Sequence, residues 1–329
     1  MRRLTTCAFL TLALLSVCTA SAAPPANVVL IVGDDIRHDD LVHMPRVSEL
    51  AAQGVQFDAA FSPIALCVPA RVSLLTGTLP RTHGIRDNRG QDFVPSDTIA
   101  TRLDAAGYET ALFGKYLNAS RRPSAASAQR LVIDQPPGWD VFRALLYHDD
   151  YGREQPDVLL QQAQAFMSTA TGPFFVYLAP TAAHGPLSGP PRCDAREIPP
   201  PPPGATEKRW RQRVSALCGL DDLVADIVAS RGPDTWVLWT ADHGFMLGEG
   251  GRTGKSELVL DAAQVPLIVW GPDVVPARRR EIVSLVDVSA TVLRLANVGR
   301  SGLEGQSFLP LLRGDSSQRW TGTLEIIGQ

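Results

Sequence analysis

The sequence predicts an α/β fold with a mostly parallel central sheet sandwiched by helices. Three observations carry that expectation. Short apolar runs alternate along the chain with amphipathic segments of helical length. Several runs are nearly continuous in Val, Leu, Ile and aromatic residues, as strands buried on both faces are. Two of them end in acidic tips, Asp34-Asp35 and Asp242-His243, where sites in such sheets lie.

The elements follow in order. Residues 27–32 read as a buried strand that ends in Gly33-Asp34-Asp35. Residues 44–53 are helical and stop at Gly54. A helix over 70–75 starts behind Pro69, a favoured first-turn residue, and ends at Gly77. Residues 97–106 form a capped helix ending at Gly107, and a strand follows over 109–113. Residues 157–168 are helical and 173–178 a strand. Residues 207–230 make a long amphipathic helix, 235–240 a buried strand, 265–270 another strand and 286–296 a closing helix. Two segments interrupt the alternation. Residues 120–138 are rich in Arg, Ser, Ala and Pro. Residues 185–204 include Pro199 to Pro203, an extended, exposed run.

Composition narrows the function classes. The chain has 329 residues, 45% hydrophobic and 20% charged, enough for one large core or two modest ones. The net charge of −3 gives no footprint for nucleic acid. Arg278-Arg279-Arg280 is a basic run short enough to be a solvated turn. No G-x-G-x-x-G follows the first strand, which argues against a dinucleotide enzyme.

Residues 1–23 read as an export signal. Arg2 and Arg3 supply its charge, residues 8–17 its apolar stretch, and Ala20-Ser21-Ala22 its cleavage site. The apolar stretch is too short to span a bilayer. Bulky Val17 argues against lipidation at Cys18. The expectation is a periplasmic or secreted protein with no stable membrane anchor. Loss of the signal leaves 29 basic against 34 acidic side chains, a net charge of −5. It also leaves Cys67, Cys193 and Cys218, an odd number. Cys193 and Cys218 are near enough in sequence to close a loop, which would leave Cys67 unpaired.

Cys67 could be a buried thiol, a nucleophile or a modification site. It lies just ahead of the helix over 70–75, where the helix dipole favours an anion. Arg71, one turn on, could reach back to it. Asp34, Asp35 and Asp242 offer hard oxygen donors suited to Ca²⁺, Mg²⁺ or Mn²⁺. Lys115 and His184 follow strands, Lys255 ends a Gly-rich stretch over 248–255, and His83 lies in Arg81-Thr82-His83-Gly84. Each alone reads as a cap, loop or surface residue. Together they gather cations at several strand ends, which suits a dianionic or sulfate-like substrate.

Cys67-Val68-Pro69-Ala70-Arg71, followed by Ser73-Leu74-Leu75-Thr76-Gly77, resembles the C-x-P-x-R…LTG signature of type I sulfatases, of the alkaline-phosphatase-like superfamily. The resemblance runs from Asn27 to about Arg313. It is most similar to N-acetylglucosamine-6-sulfatases around Gly114-Lys115-Tyr116-Leu117-Asn118, Lys208-Arg209-Trp210 and Asp221-Asp222-Leu223-Val224. It implies that a formylglycine-generating enzyme oxidises Cys67 to Cα-formylglycine during export. One hydroxyl of the hydrated aldehyde then attacks sulfur and displaces the alcohol. Deprotonation of the other expels sulfate. It implies that Asp34, Asp35, Asp242, His243 and modified Cys67 hold a divalent cation, foremost Ca²⁺, while Arg71 holds the diol. Lys115, Lys255 and His184 contact the sulfate, and Lys255 or His184 protonates the leaving oxygen.

The chain departs from the pattern in three ways. Leu117 stands where many sulfatases have histidine, so His83 is the candidate base for sulfate release. His243 stands where many have asparagine, and its nitrogen strengthens the case for Mn²⁺. Residues 24–315 are expected to form the catalytic domain. Residues 316–329 would begin a smaller antiparallel subdomain, apparently truncated, with residues 323–327 as its exposed first strand. The substrate class implied is a sulfated sugar or small molecule. A phosphonate monoester or phosphodiester hydrolase, or an inactive binding protein, would share the scaffold.

Overall fold

The computed structural model describes residues 25–89, 92–118, 134–145, 151–185, 189–255, 258–315, 320–322 and 324–327. The expected signal segment 1–23 and most of the loop over 120–138 lie outside them. The strands are β1 (Asn27–Gly33), β2 (Val55–Phe61), β3 (Glu109–Gly114), β4 (Val141–Ala144), β5 (Phe174–Ala179), β6 (Thr235–Ala241), β7 (Met246–Leu247), β8 (Thr253–Gly254), β9 (Gln264–Val265), β10 (Leu267–Trp270) and β11 (Ala277–Ser284). The helices are α1 (Pro45–Ala51), α2 (Cys67–Thr76), α3 (Pro80–His83), α4 (Ile99–Ala105), α5 (Gln155–Thr169), α6 (Glu207–Ser230), α7 (Leu260–Ala263), α8 (Leu285–Leu295) and α9 (Leu309–Leu312).

Among the described residues the strands form a nine-stranded sheet in the order β11-β2-β10-β6-β1-β5-β3-β4, with β9 added to β2. β3, β5, β1 and β6 are neighbours and all parallel. β10 runs antiparallel to both β6 and β2. The sheet is therefore mostly parallel, as the sequence predicts. β1, β5 and β6 bury nearly every side chain, which is why they read as continuous apolar runs. Trp236, Trp239 and Trp270 fill the core among them.

The sequence reading omits β2, β4 and β11 from the main sheet, and the two-residue strands β7 and β8 beside it. β2 alternates buried Val55 and Phe57 with partly exposed Gln56 and Asp58, a half-buried pattern that the search for continuous runs passes over. The basic run Arg278-Arg279-Arg280, expected as a turn, lies inside β11 at the sheet edge. The strand alternates exposed and half-buried positions there, and Arg278 Nε pairs with Asp58 Oδ1 at 2.6 Å. Charge on an edge strand deters pairing with another chain.

Three further expectations gain detail. Cys193 and Cys218 form a disulfide, tying the loop before α6 to that helix, and Cys67 is free and buried. The proline run over 199–203 is exposed or half-buried and neither helical nor strand. Residues 324–327 are not a free strand. Ile327 makes a parallel bridge to Ile64 and donates its N–H to Pro63 O at 2.9 Å, while Glu325 pairs with Arg81.

Candidate active site

The carboxyl ends of four adjacent parallel strands supply the site. β1 leads to Asp34-Asp35, β3 to Lys115, β5 to the turn carrying His184, and β6 to Asp242-His243. The tips are stitched together, because Asp242 N–H donates to Gly33 O at 3.0 Å and Lys115 N–H to Ala179 O at 2.8 Å. Gly114 makes the second contact possible. Its φ is +108°, and a Cβ there would lie 2.2 Å from Ala179 O. Asp35 also has positive φ, +62°. Strain of this kind in a residue with a side chain clusters at functional sites. Arg213 on α6 braces it by donating to Asp35 O at 2.7 Å and pairing with Asp40.

α2 brings residue 67 to these tips. The helix starts three residues earlier than the sequence predicts, so Cys67 is in its first turn with Leu66 as the capping residue. Asn88 Oδ1 accepts from Val68 N–H at 3.0 Å in place of a side-chain cap. Residues 67 to 75 are all buried. Gly77, at φ +67°, ends the helix.

Cys67 Sγ lies 2.9 Å from Lys255 Nζ, 3.3 Å from His243 Nε2 and 3.8 Å from Asp34 Oδ1. Lys255 Nζ also meets Asp35 Oδ1 at 2.7 Å, and Lys115 Nζ meets Asp34 Oδ2 at 2.6 Å. Arg71 does not fold back on the thiol alone. It spans the tips, with Nε 2.8 Å from Asp242 Oδ2 and Nη1 2.8 Å from Lys115 O. Its Nη2 is buried with no hydrogen-bond partner, 4.0 Å from Asp34 Oδ1. A buried N–H without a partner is costly, so this donor remains available to an acceptor that the neighbouring side chains do not supply.

Burial opposes charge at each of these groups, and the neighbouring charges overcome it. Lys115 and Arg71 hold the Asp34 carboxyl well below the usual carboxylate range. Burial works against the Arg71 guanidinium, but Asp242 keeps it charged. Burial likewise works against Lys255, and Asp35 keeps it cationic. His243 is disfavoured as a cation by burial yet raised to about 9 by Asp242.

The donor set fits a divalent cation. Ligand atoms of Asp34, Cys67, Asp242 and His243 lie within 4.8 Å of one another, and a second group joins Asp34 and Asp35 to His184. Carboxylate oxygens with one imidazole suit a hard or borderline ion. His243 Nδ1 lies 2.9 Å from Gly244 O, a contact that orients the ring and turns Nε2 to the cluster.

Of the residues expected from sequence, Asp34, Asp35, Cys67, Arg71, Lys115, His184, Asp242, His243 and Lys255 come together. His83 does not join them. Its Nε2 is 2.9 Å from Ser73 Oγ, and its Nδ1 accepts from Ile85 N–H at 3.1 Å. Ser73 lies six residues beyond Cys67 on α2, a rise of about 9 Å. Burial lowers the His83 ring to about 4, so it is neutral near pH 7.

Sequence reasoning missed the residues that hold the site open and in register. Arg37 pairs with Asp39, Glu249 and Asp261, tying the β1 loop to the segment that carries Lys255. A cavity of 430 Å³ opens beside Asp35, His184 and Lys255, with Arg209, Phe245 and Leu247 on its walls. Arg213 gave one readable signal, an arginine on the same face of α6 as buried Trp210 and Leu217.

The Sulfatase family profile matches residues 26–298. The N-acetylglucosamine-6-sulfatase of Capra hircus is 26% identical over a match that covers 89% of this chain and 65% of that protein. The chain thus spans 65% of the length of this relative. BT4656, solved in complex with its substrate D-glucosamine-2-N,6-O-disulfate, has a TM-score of 0.76 at 18% identity, covering 88% of this chain and 81% of that one. A phosphonate monoester hydrolase from Silicibacter pomeroyi has a TM-score of 0.72 at 22% identity, covering 90% and 78%. The two structures share the fold. The profile match over most of the sheet, with residue 67 at the strand tips, places the chain in the Sulfatase family.

Proposed function

We propose that the protein hydrolyses sulfate esters, with a sulfated amino sugar as the substrate class. The observation that carries this reading is the position of Cys67. It is a free, buried residue in the first turn of α2, between Lys255, His243 and the Asp34 carboxylate. The family match and the N-acetylglucosamine-6-sulfatase relative support sulfur chemistry on a sugar.

On this reading Cys67 is matured to Cα-formylglycine by a formylglycine-generating enzyme during export to the periplasm or medium. The hydrated aldehyde supplies the nucleophilic hydroxyl. Asp34, Asp35, Asp242 and His243 would hold Ca²⁺, with Mn²⁺ the alternative that the imidazole admits; the ion supplies Lewis-acid activation when bound. The chain's own groups do the rest. Arg71 Nη2, buried without a hydrogen-bond partner, would donate to an oxygen on residue 67. Lys115 and Lys255 bind the sulfuryl oxygens as charge develops there. His184, half-buried on the cavity wall, or Lys255 would protonate the leaving alcohol. Residues 24–315 are the catalytic unit on this account.

A phosphonate monoester or phosphodiester hydrolase is the second reading, favoured by the likeness of fold to the Silicibacter pomeroyi enzyme. Rates on 4-nitrophenyl sulfate and bis-(4-nitrophenyl) phosphate separate the two. We expect kcat/KM for the sulfate to be larger by about tenfold or more. A larger value for the phosphodiester would overturn the sulfate reading.

A further inference from the structure

The 430 Å³ cavity beside the site has a floor and a wall of different character. Its volume lies in the roughly 300–1,000 Å³ range of small-ligand sites. Asp35, His184 and Lys255 form the end next to residue 67. Phe245 and Leu247, both half-buried, add apolar surface of the kind that the face of a sugar ring covers. The rest of the lining comes from α6, whose Arg209, Gln212 and Arg213 share one face by helical spacing.

The two arginines differ. Arg213 is buried and committed to Asp40 and to Asp35 O. Arg209 is exposed to the cavity, and among the described residues its guanidinium has neither an ion pair nor a hydrogen bond. The neighbouring Arg211 is on another side of the helix, paired with Glu207. Lys255 is held by Asp35. Arg209 is therefore the guanidinium lining this cavity with its planar fork of donors unspent. Such a fork selects sulfate, phosphate or carboxylate oxygens in pairs.

We propose that Arg209, assisted by the amide of Gln212, forms a second oxyanion subsite. It fixes the substrate as a sugar bearing a second sulfate besides the ester set against residue 67. The proposal rests on the sulfate-ester reading, and it assigns specificity to α6 rather than to the strand tips. Arg209 orients the sugar and touches no reacting atom.

Binding tests it without turnover. The Cys67→Ala protein is titrated by calorimetry with D-glucosamine-2-N,6-O-disulfate and with D-glucosamine-6-O-sulfate. The expected result is tighter binding of the disulfate by about tenfold or more. Adding Arg209→Ala should bring the ratio of the two constants close to one, and Arg209→Lys should restore part of it. Lys208→Ala, on the exposed neighbour, should leave the ratio unchanged. An unaltered ratio in Arg209→Ala, no preference in the parent, or binding of neither sugar would each overturn the proposal. Failure of the unsubstituted chain to cleave either ester would instead overturn the hydrolase reading, and the binding ratio would remain a separate result.

Discussion

Arg71 has no solvent contact, in a helix whose other positions from Cys67 to Leu75 are also buried. A guanidinium persists there because it serves three strand tips at once. It bonds Asp242 and Lys115 O directly and lies 4.0 Å from Asp34. Its remaining donor is what a hydroxyl on residue 67 would use. Replacing Arg71 with Ala leaves the Asp242 carboxylate buried without this partner. That should cost about 3–5 kcal/mol of stability, read from urea unfolding. A loss under about 1 kcal/mol would mean that Arg71 is not the counter-charge of Asp242. The signature Cys67-Val68-Pro69-Ala70-Arg71 was legible because a single helical turn contains it. The contacts of Arg71 with Asp242 and Lys115 O were not, since they cross 171 and 44 residues of chain.

At the scale of elements, local chemistry marked most boundaries. α6 occupies the residues its amphipathic pattern predicted, with Thr206 accepting from Arg209 N–H as the cap. α2 began earlier than Pro69 suggested because Asn88, from a distant loop, satisfies Val68 N–H. Sequence could not supply that partner. The setting of His83 was hidden for the same reason: its Gly84 neighbour was visible, but its packing against Ser73 on α2 was not. That packing has a pH signature. Burial lowers the folded-state ring to about 4, although Glu304 acts the other way, whereas an unfolded histidine titrates near 6.5. The unfolded chain therefore takes up the proton first. The contribution is fully present above about pH 6.5 and is lost as pH falls toward 4. His83→Gln should flatten the fall in unfolding free energy across that window, by on the order of 1 kcal/mol after solvent screening, read from urea unfolding at several pH values. An unchanged slope would show that His83 is not the group responsible.

The whole molecule places its charges by topology. Parallel neighbours β3, β5, β1 and β6 end on one edge, so residues far apart in sequence converge without any local signal linking them. The rule that sites lie beyond the carboxyl ends of such strands made this edge predictable. The half-buried strand β2 and the edge strand β11 were less legible, and so was the antiparallel direction of β10, although its residues read as a strand. Their character depends on which neighbour covers them. The cavity walls were not legible at all, because β7, the loop after β5 and α6 meet only in the folded chain. Across this architecture the account depends on residue 67 being changed after synthesis. The direct measurement is the mass of the tryptic peptide Val47–Arg71 from exported, active protein. The account predicts the aldehyde, with residue 67 at the mass of formylglycine. A peptide carrying only the cysteine thiol, in protein that still hydrolyses 4-nitrophenyl sulfate, would contradict it.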